Sequence, residues 1–506
     1  MAKKSAGRDG RVPQTAGDKE PPNIPAQIHQ LAWTGQHTQA IDLATETLAS
    51  AGMNVAQQLD LLDLRAESYI ARGNLDLAKN DAQAMIELTH AEDHPALKAQ
   101  ALNRRAFVEM RMGKLKEAVQ TGQDALAVAR TTEDKRLIAD CLLCLAEGFG
   151  RAQAGESAIE NGQKAVDLYA ALGDPAGQGR ALVGVAYGHV IIGAPETARE
   201  LLERSLALCR QAGDLYGVGS ALNLFTFFEN DLAKLLDFQK QALDAFAQAG
   251  YRERLNTIRG NLGISYMILG LHHRARRFLD ENVLSSQEIG AMMGVLAGLQ
   301  GLIKADIELG AFAAARRNAN RAAQLLPSFG IPRITFWLTF ARGYLALAEK
   351  NFPKAITYFS EAIVIAEEIE RHSMTTFAYS YLGRAQLAAG NQKGALQATS
   401  KAVALHAAQN FARIEFTFPE ETCWIHALAL QANQQNDEAD QYLAQAYDFL
   451  LRAIENVRDV GLRRGFMNKS RTNREILHAW VAFGKENNFA QERLFAHLQV
   501  ETNPRE

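Results

Sequence analysis

The feature that most constrains this chain is a glycine followed five positions later by an alanine, which returns about every 40 residues. The intact pairs are Gly35 and Ala40, Gly73 and Ala78, Gly113 and Ala118, Gly193 and Ala198, Gly270 and Ala275, Gly310 and Ala315, and Gly390 and Ala395. Degenerate copies at Gln153 and Ala158, Asn230 and Leu235, Lys350 and Ala355, and Gln434 and Ala439 fill the gaps, making eleven units. Seven residues before most turn positions stands another small residue: Ala66, Ala106, Ala146, Ala186, Gly263, Gly343, Gly383 or Ala427. Twelve residues after comes Ala125, Ala165, Ala242, Ala322, Ala362, Ala402 or Ala446. Self-similarity at such a period marks stacked supersecondary units, each unable to bury its apolar face alone. Small side chains at one phase on each of two helices let those helices approach closely, and glycine at the turn lets the chain reverse.

The composition agrees with a helical reading: 12 prolines in 506 residues leave long helices uninterrupted, and 47% apolar residues supply a large core. A net charge of -3 excludes a global positive field for nucleic acid or an anionic membrane, so neither is expected as a partner. Four cysteines cannot make a disulfide framework in so long a chain, and the polar start has no apolar signal segment. The longest uncharged runs, 181–195 and 289–303, fall short of the roughly 20 residues a spanning helix needs. The expected location is the cytoplasm.

The repeat resembles the tetratricopeptide family, and the unit with Leu262, Gly263, Tyr266, Gly270 and Ala275 carries the family spacing. The resemblance implies an all-α, right-handed superhelical solenoid with a concave face. Residues 23–460 form the array, 1–22 a disordered arm, and 461–506 a C-terminal helical cap or connector. Units of 40 rather than about 34 residues imply longer helices or longer inter-repeat turns. Such units look like those of bacterial regulators and adaptors. The stretch 461–480 resembles the segment that closes the repeats in bacterial multidomain signalling proteins, where GAF or PAS domains and then a nucleotide cyclase or histidine kinase follow. In those proteins a further domain begins near the position of Glu506.

Motifs for catalysis are missing. There is no G-x-x-x-x-G-K-[ST] and no H-E-x-x-H, and Gly177-Gln178-Gly179 lacks a strand before it and reads as an inter-repeat turn. Cys141 and Cys144 sit mid-helix among leucines and read as buried small side chains rather than a metal or redox pair. His90, Glu92, Asp93 and His94 fit a hydrophilic loop better than a cation site, and His272-His273 fits a solvated turn. No catalytic residue, metal or cofactor is therefore assigned.

In the resembling family the first helix of each unit lines the concave face. Carried over by offset from the turn, the partner-facing set is Phe107, Arg111, Glu147, Arg151, Arg180, Tyr187, Phe227, Met267, Gln300, Lys304, Trp337, Tyr344, Phe377 and Arg384. The first members pair arginines with acids and suit an acidic peptide or a carboxylate. Those from Tyr187 to Phe377 suit hydrophobic anchors of a peptide, although core packing between units explains each aromatic equally well. The leading function is a non-catalytic protein-protein interaction scaffold, the sensory or regulatory module of a bacterial signalling protein, with a protein, a peptide or a downstream signalling domain as partner. The alternative is a small-ligand or peptide receptor whose solenoid changes curvature on binding. Past Gly461, Phe466, Ile476 and Trp480 are expected to pack on the helix holding Tyr447 and Leu451, with Arg463, Arg464, Arg471 and Arg474 near the surface.

Overall fold

A computed structural model describes residues 23–90, 94–326, 332–413 and 417–499. The arm assigned to 1–22, the acids Glu92 and Asp93, and the turn at 329–331 lie outside the described residues. Eleven helical hairpins follow one another: α1 (Ile24–Trp33) with α2 (His37–Leu48), α3 (Val55–Arg72) with α4 (Leu75–Thr89), α5 (Pro95–Arg111) with α6 (Leu115–Ala129), α7 (Lys135–Arg151) with α8 (Gly155–Ala171), α9 (Pro175–Ile191) with α10 (Pro195–Ala212), α11 (Leu215–Phe225) with α12 (Leu232–Gln248), α13 (Arg252–Ile268) with α14 (His272–Glu288), α15 (Met292–Glu308) with α16 (Phe312–Leu325), α17 (Pro332–Ala348) with α18 (Phe352–Glu368), α19 (His372–Ala388) with α20 (Gln392–Ala407), and α21 (Pro419–Ala432) with α22 (Asn436–Glu455). Then come α23 (Val460–Lys469), α24 (Arg471–Glu486) and the short α25 (Gln491–Leu494). The fold is an all-α solenoid, with no β-strand among the described residues.

The turn glycines do what their period implies. All seven intact ones have positive φ, between 69° and 82°. At Gly73 the glycine N–H bonds to the Ile70 carbonyl and the next N–H reaches back to Tyr69, the two bonds of a Schellman end. Gln153, Lys350 and Gln434 hold the same left-handed turn without being glycine, with φ of 61°, 62° and 63°. A second left-handed end recurs between units, at Gly213, Gly250, Gly290, Glu370 and Asn410. The true rhythm is therefore about half the repeat. Helices of 17 residues recur on both sides of the turns, as in α7, α8, α13, α14, α18 and α19, so the extra length of the unit lies in its helices.

The small residues lie at the helix contacts. Ala66, Ala106, Ala146, Ala186, Ala125, Ala165 and Ala275 are fully buried. At Gly383 a β-carbon would stand 2.4 Å from Thr399 Cγ2, so that approach permits nothing larger. Two expectations need correcting. In the sixth unit the buried residue is Leu236, while Leu235 is half-buried, because α11 ends early and the irregular turn shifts the register by one. Gly177 and Gly179 belong to no turn: both are buried inside α9, where added β-carbons would meet the Tyr169 ring at 2.4 Å and Cys209 Sγ at 2.5 Å.

The array coils until successive turns of the superhelix touch. His37, at the start of α2, bonds through Nε2 to the Ala249 carbonyl at 2.9 Å, 212 residues along the chain. A carbonyl only accepts, so Nε2 carries the proton and Nδ1 accepts from Ser68 Oγ at 3.3 Å. Gly35 rests so close to this junction that a β-carbon would stand 2.1 Å from the Gln248 carbonyl oxygen. One unit further on, the Gly73 turn sits against Ile289 in the same way.

The C-terminal block repeats the device. Helix α22 stops at Glu455, and α23 crosses to the seventh unit, where the Lys469 backbone abuts the Gly270 turn. Phe466, Ile476 and Trp480 enter the same buried cluster as Tyr447, with Leu451 packed against it. Trp480 stacks on Tyr447 at 4.3 Å. Arg464, Arg471 and Arg474 are exposed, but Arg463 is buried and donates Nε–H to the Val457 carbonyl at 2.8 Å, because the chain turns back under it before α23.

Candidate functional site

First helices of distant units meet inside the first superhelical turn, where their charged side chains pair with one another. Arg111, on α5, has its side chain 1% exposed and reaches Glu147 of α7 at 3.2 Å and Glu253 of α13 at 3.4 Å. Glu147 also takes Arg151 at 3.1 Å and Arg254 at 2.9 Å, so one carboxylate answers three guanidinium groups. Tyr216 of α11 accepts from Arg111 at 2.6 Å and from Arg254 at 2.9 Å. Burial alone raises the Glu147 pKa, yet Arg111, Arg151 and Arg254 outweigh it and hold that carboxyl well below the usual carboxylate range. Beside this hub, Arg180 grips Asp214 through two bonds of 2.6 and 2.8 Å and lies over the Trp33 and Tyr216 rings.

The sequence-derived set therefore divides. Arg111, Glu147, Arg151 and Arg180 do converge there, but their charges are answered by the chain itself. Phe107 is half-buried under the Arg111 guanidinium, 4.7 Å from its ring centre. Trp337 and Phe377 are 7% and 4% exposed and sit in an aromatic core with Phe336, Phe340 and Tyr381. Tyr344 donates to Glu308. Arg384 is bound to Glu475 of α24 at 3.0 Å, and Trp424 Nε1 donates to the same carboxylate at 3.1 Å. Met267, Gln300 and Lys304 are half-buried. Phe227 stands apart, 59% exposed with Tyr187 beside it at 6.2 Å.

Sequence reasoning missed Tyr216, Glu253, Arg254, Trp424 and Glu475. Their partners lie 105, 142, 107, 51 and 91 residues away in the pairs with Arg111, Arg111, Glu147, Glu475 and Arg384. An offset from a turn identifies neighbours within the stack, whereas these pairs depend on how tightly the whole array coils.

Cys141 and Cys144 are buried in α7, and burial pushes the Cys141 thiol up to about 12, so it stays protonated and unreactive near neutrality. His90 and His94 are exposed. No group of three His, Cys, Asp or Glu side chains among the described residues is placed to hold a metal, and no described helix is long and apolar enough to cross a membrane.

No family model matches the chain, and no curated protein matches it. Among solved structures it is similar to a Rap protein crystallised with competence and sporulation factor, at 16% identity over 73% of this chain and 98% of that one, with a TM-score of 0.48. It is also similar to a signal transduction ATPase with numerous domains carrying a tetratricopeptide repeat sensor, from Pyrococcus horikoshii, at 14% identity over 76% and 53% of the two chains, with a TM-score of 0.48. The apo quorum sensor NprR from B. thuringiensis aligns at 12% identity over 76% and 97%, with a TM-score of 0.38. At these levels no residue role is carried over. The helical hairpin with a left-handed turn and buried alanines, seen in this chain's own geometry, is a tetratricopeptide-like repeat.

Proposed function

We propose that the chain is a non-catalytic interaction scaffold, the regulatory or sensory module of a bacterial signalling system, taking a peptide or protein segment whose hydrophobic anchor seats on Tyr187 and Phe227. The observation that carries this reading is the exposure of Phe227: it is 59% exposed on a chain whose other large aromatics are mostly packed between helices. Aromatic side chains are enriched at protein interfaces, and one that acts as a hot spot contributes about 2 kcal/mol or more to binding. Tyr187 adds a hydroxyl, already reached by Gln153 at 3.2 Å, as a polar edge to the same patch.

The charged hub supports a second reading, a receptor whose coil loosens when an anionic segment competes for Arg111 or Arg254. Selection of binders from a displayed library of random 12-residue peptides separates the two. The scaffold reading expects the selected peptides to lose roughly tenfold in affinity with Phe227→Ala or Tyr187→Ala, and to ignore Leu284→Ala on the outer helix α14. Peptides indifferent to Phe227 and Tyr187 but abolished by Arg254→Ala transfer the site to the hub.

A further inference from the structure

A second candidate site lies at the seam where the C-terminal block meets the seventh and eighth units. There the turn before α14, the residue that ends α15, both ends of α23 and the first turn of α24 line an open cleft of about 700 Å3. Its apolar wall is Leu271, Leu309 and Leu462, and its rim carries Arg274, Lys469 and Arg474. The three cations come from two parts of the chain some 200 residues apart, yet the fold sets them around one space.

Their charge is not answered locally. Among the described residues none of the three is paired with a carboxylate: Arg274 lies over the Tyr266 ring at 5.9 Å, and Arg474 donates to the Asn468 carbonyl at 3.2 Å. The single lining carboxylate, Asp459, is used in capping α23, where it accepts from the Leu462 N–H at 2.7 Å. Like charges drawn together beside low-dielectric walls repel one another and concentrate anions. His272 also lines the cleft, with Nδ1 buried and Nε2 4.0 Å from Glu308, and α14 begins there with Leu271 as its N-cap and no side-chain cap, which leaves first-turn N–H groups for an anion.

We propose that this cleft binds a phosphate ester with an apolar body, the phosphate taken by Arg274, Lys469 and Arg474 and the body by the three leucines. Three cations line the cleft against one lining carboxylate, with Glu308 behind His272 at 4.0 Å, so the cleft keeps a positive excess that suits a phosphate. The volume lies within the range of small-molecule sites. Because Arg274 belongs to the solenoid while Lys469 and Arg474 belong to the C-terminal block, the ligand fastens the block to the seventh unit.

The full chain, titrated calorimetrically with phenyl phosphate, inorganic phosphate, benzoate and benzyl alcohol at matched ionic strength, tests the assignment. Phenyl phosphate should bind saturably, more tightly than inorganic phosphate or benzoate, and raise the melting temperature, while benzyl alcohol does neither. Arg474→Ala and Lys469→Ala, both exposed and confirmed as folded by circular dichroism, should each weaken phenyl phosphate by roughly fivefold to tenfold. Phe227→Ala should leave that binding unchanged, so this site and the peptide site fail separately. Benzoate matching phenyl phosphate, or variants that bind as tightly as the parent, would overturn the proposal.

Discussion

His426 shows how one buried side chain couples this fold to pH. It is 5% exposed, hydrogen-bonded through Nδ1 to Thr399 Oγ1 at 2.9 Å and set edge-on to Tyr442. Thr399 gives its own hydroxyl proton to the Ala395 carbonyl, so the imidazole Nδ1–H donates to Thr399, and burial keeps the ring neutral near pH 7. Burial pushes its pKa down to about 4 from an ordinary 6.5. The unfolded chain then takes a proton that the folded chain refuses, so stability is full above pH 6.5 and falls as the pH drops from 6.5 towards 4, by roughly 3 kcal/mol from this group. Urea midpoints at pH 7.5 and 4.5 check this: His426→Gln should lose distinctly less on acidification than the parent. At the same scale the sequence was legible where a position admits only small residues. The alanines five after, seven before and twelve after the turns are buried, because each faces a neighbouring helix backbone. It was much less legible at Trp337 and Phe377, since an aromatic on a first helix fits the concave face and the inter-unit core equally well, and only the packing of Phe340 and Tyr381 around them decides.

At the scale of the element, the turn position asks for a left-handed residue and takes whatever the sequence offers. Gln153 holds φ 61° where seven of its counterparts have glycine, and a side chain in that region costs about 1 kcal/mol or more, partly offset by the greater freedom glycine has when unfolded. Gln153→Gly should therefore stabilise by roughly 0.5 kcal/mol. Gly113→Ala should destabilise by a similar amount, and for backbone reasons alone, because nothing stands within 4 Å of its added β-carbon. Chemical denaturation that moved both variants in one direction would refute this account of the turns. Helix pairing was readable because glycine marks the turn in seven of the eleven hairpins. The equally regular turn between units was less visible, since Glu370 and Asn410 occupy some of its left-handed positions and leave no glycine to find. The sixth unit was misplaced by one residue for a related reason: its turn lacks both glycine and a regular helix end.

For the whole molecule, the decisive geometry is the contact of one superhelical turn with the next, and no local pattern announces it. Gly35→Ala would drive a methyl group into the Gln248 carbonyl at a residue with φ 79°. Small-angle scattering should then report a larger radius of gyration, while circular dichroism keeps its helical signal because every hairpin survives. An unchanged radius would mean that the His37 junction does not hold the coil. A plain solenoid touches only its nearest neighbours, so its units melt in sequence from the ends, much as a row of coupled spins would. Here the hydrogen bond from His37 to the Ala249 carbonyl joins positions 212 residues apart, and the row is tied into a loop. The first unit cannot fray without exposing the junction of the sixth and seventh. Folding must also wait for a long segment to find its mate, which puts a slow, non-local step into a protein otherwise made of fast local ones.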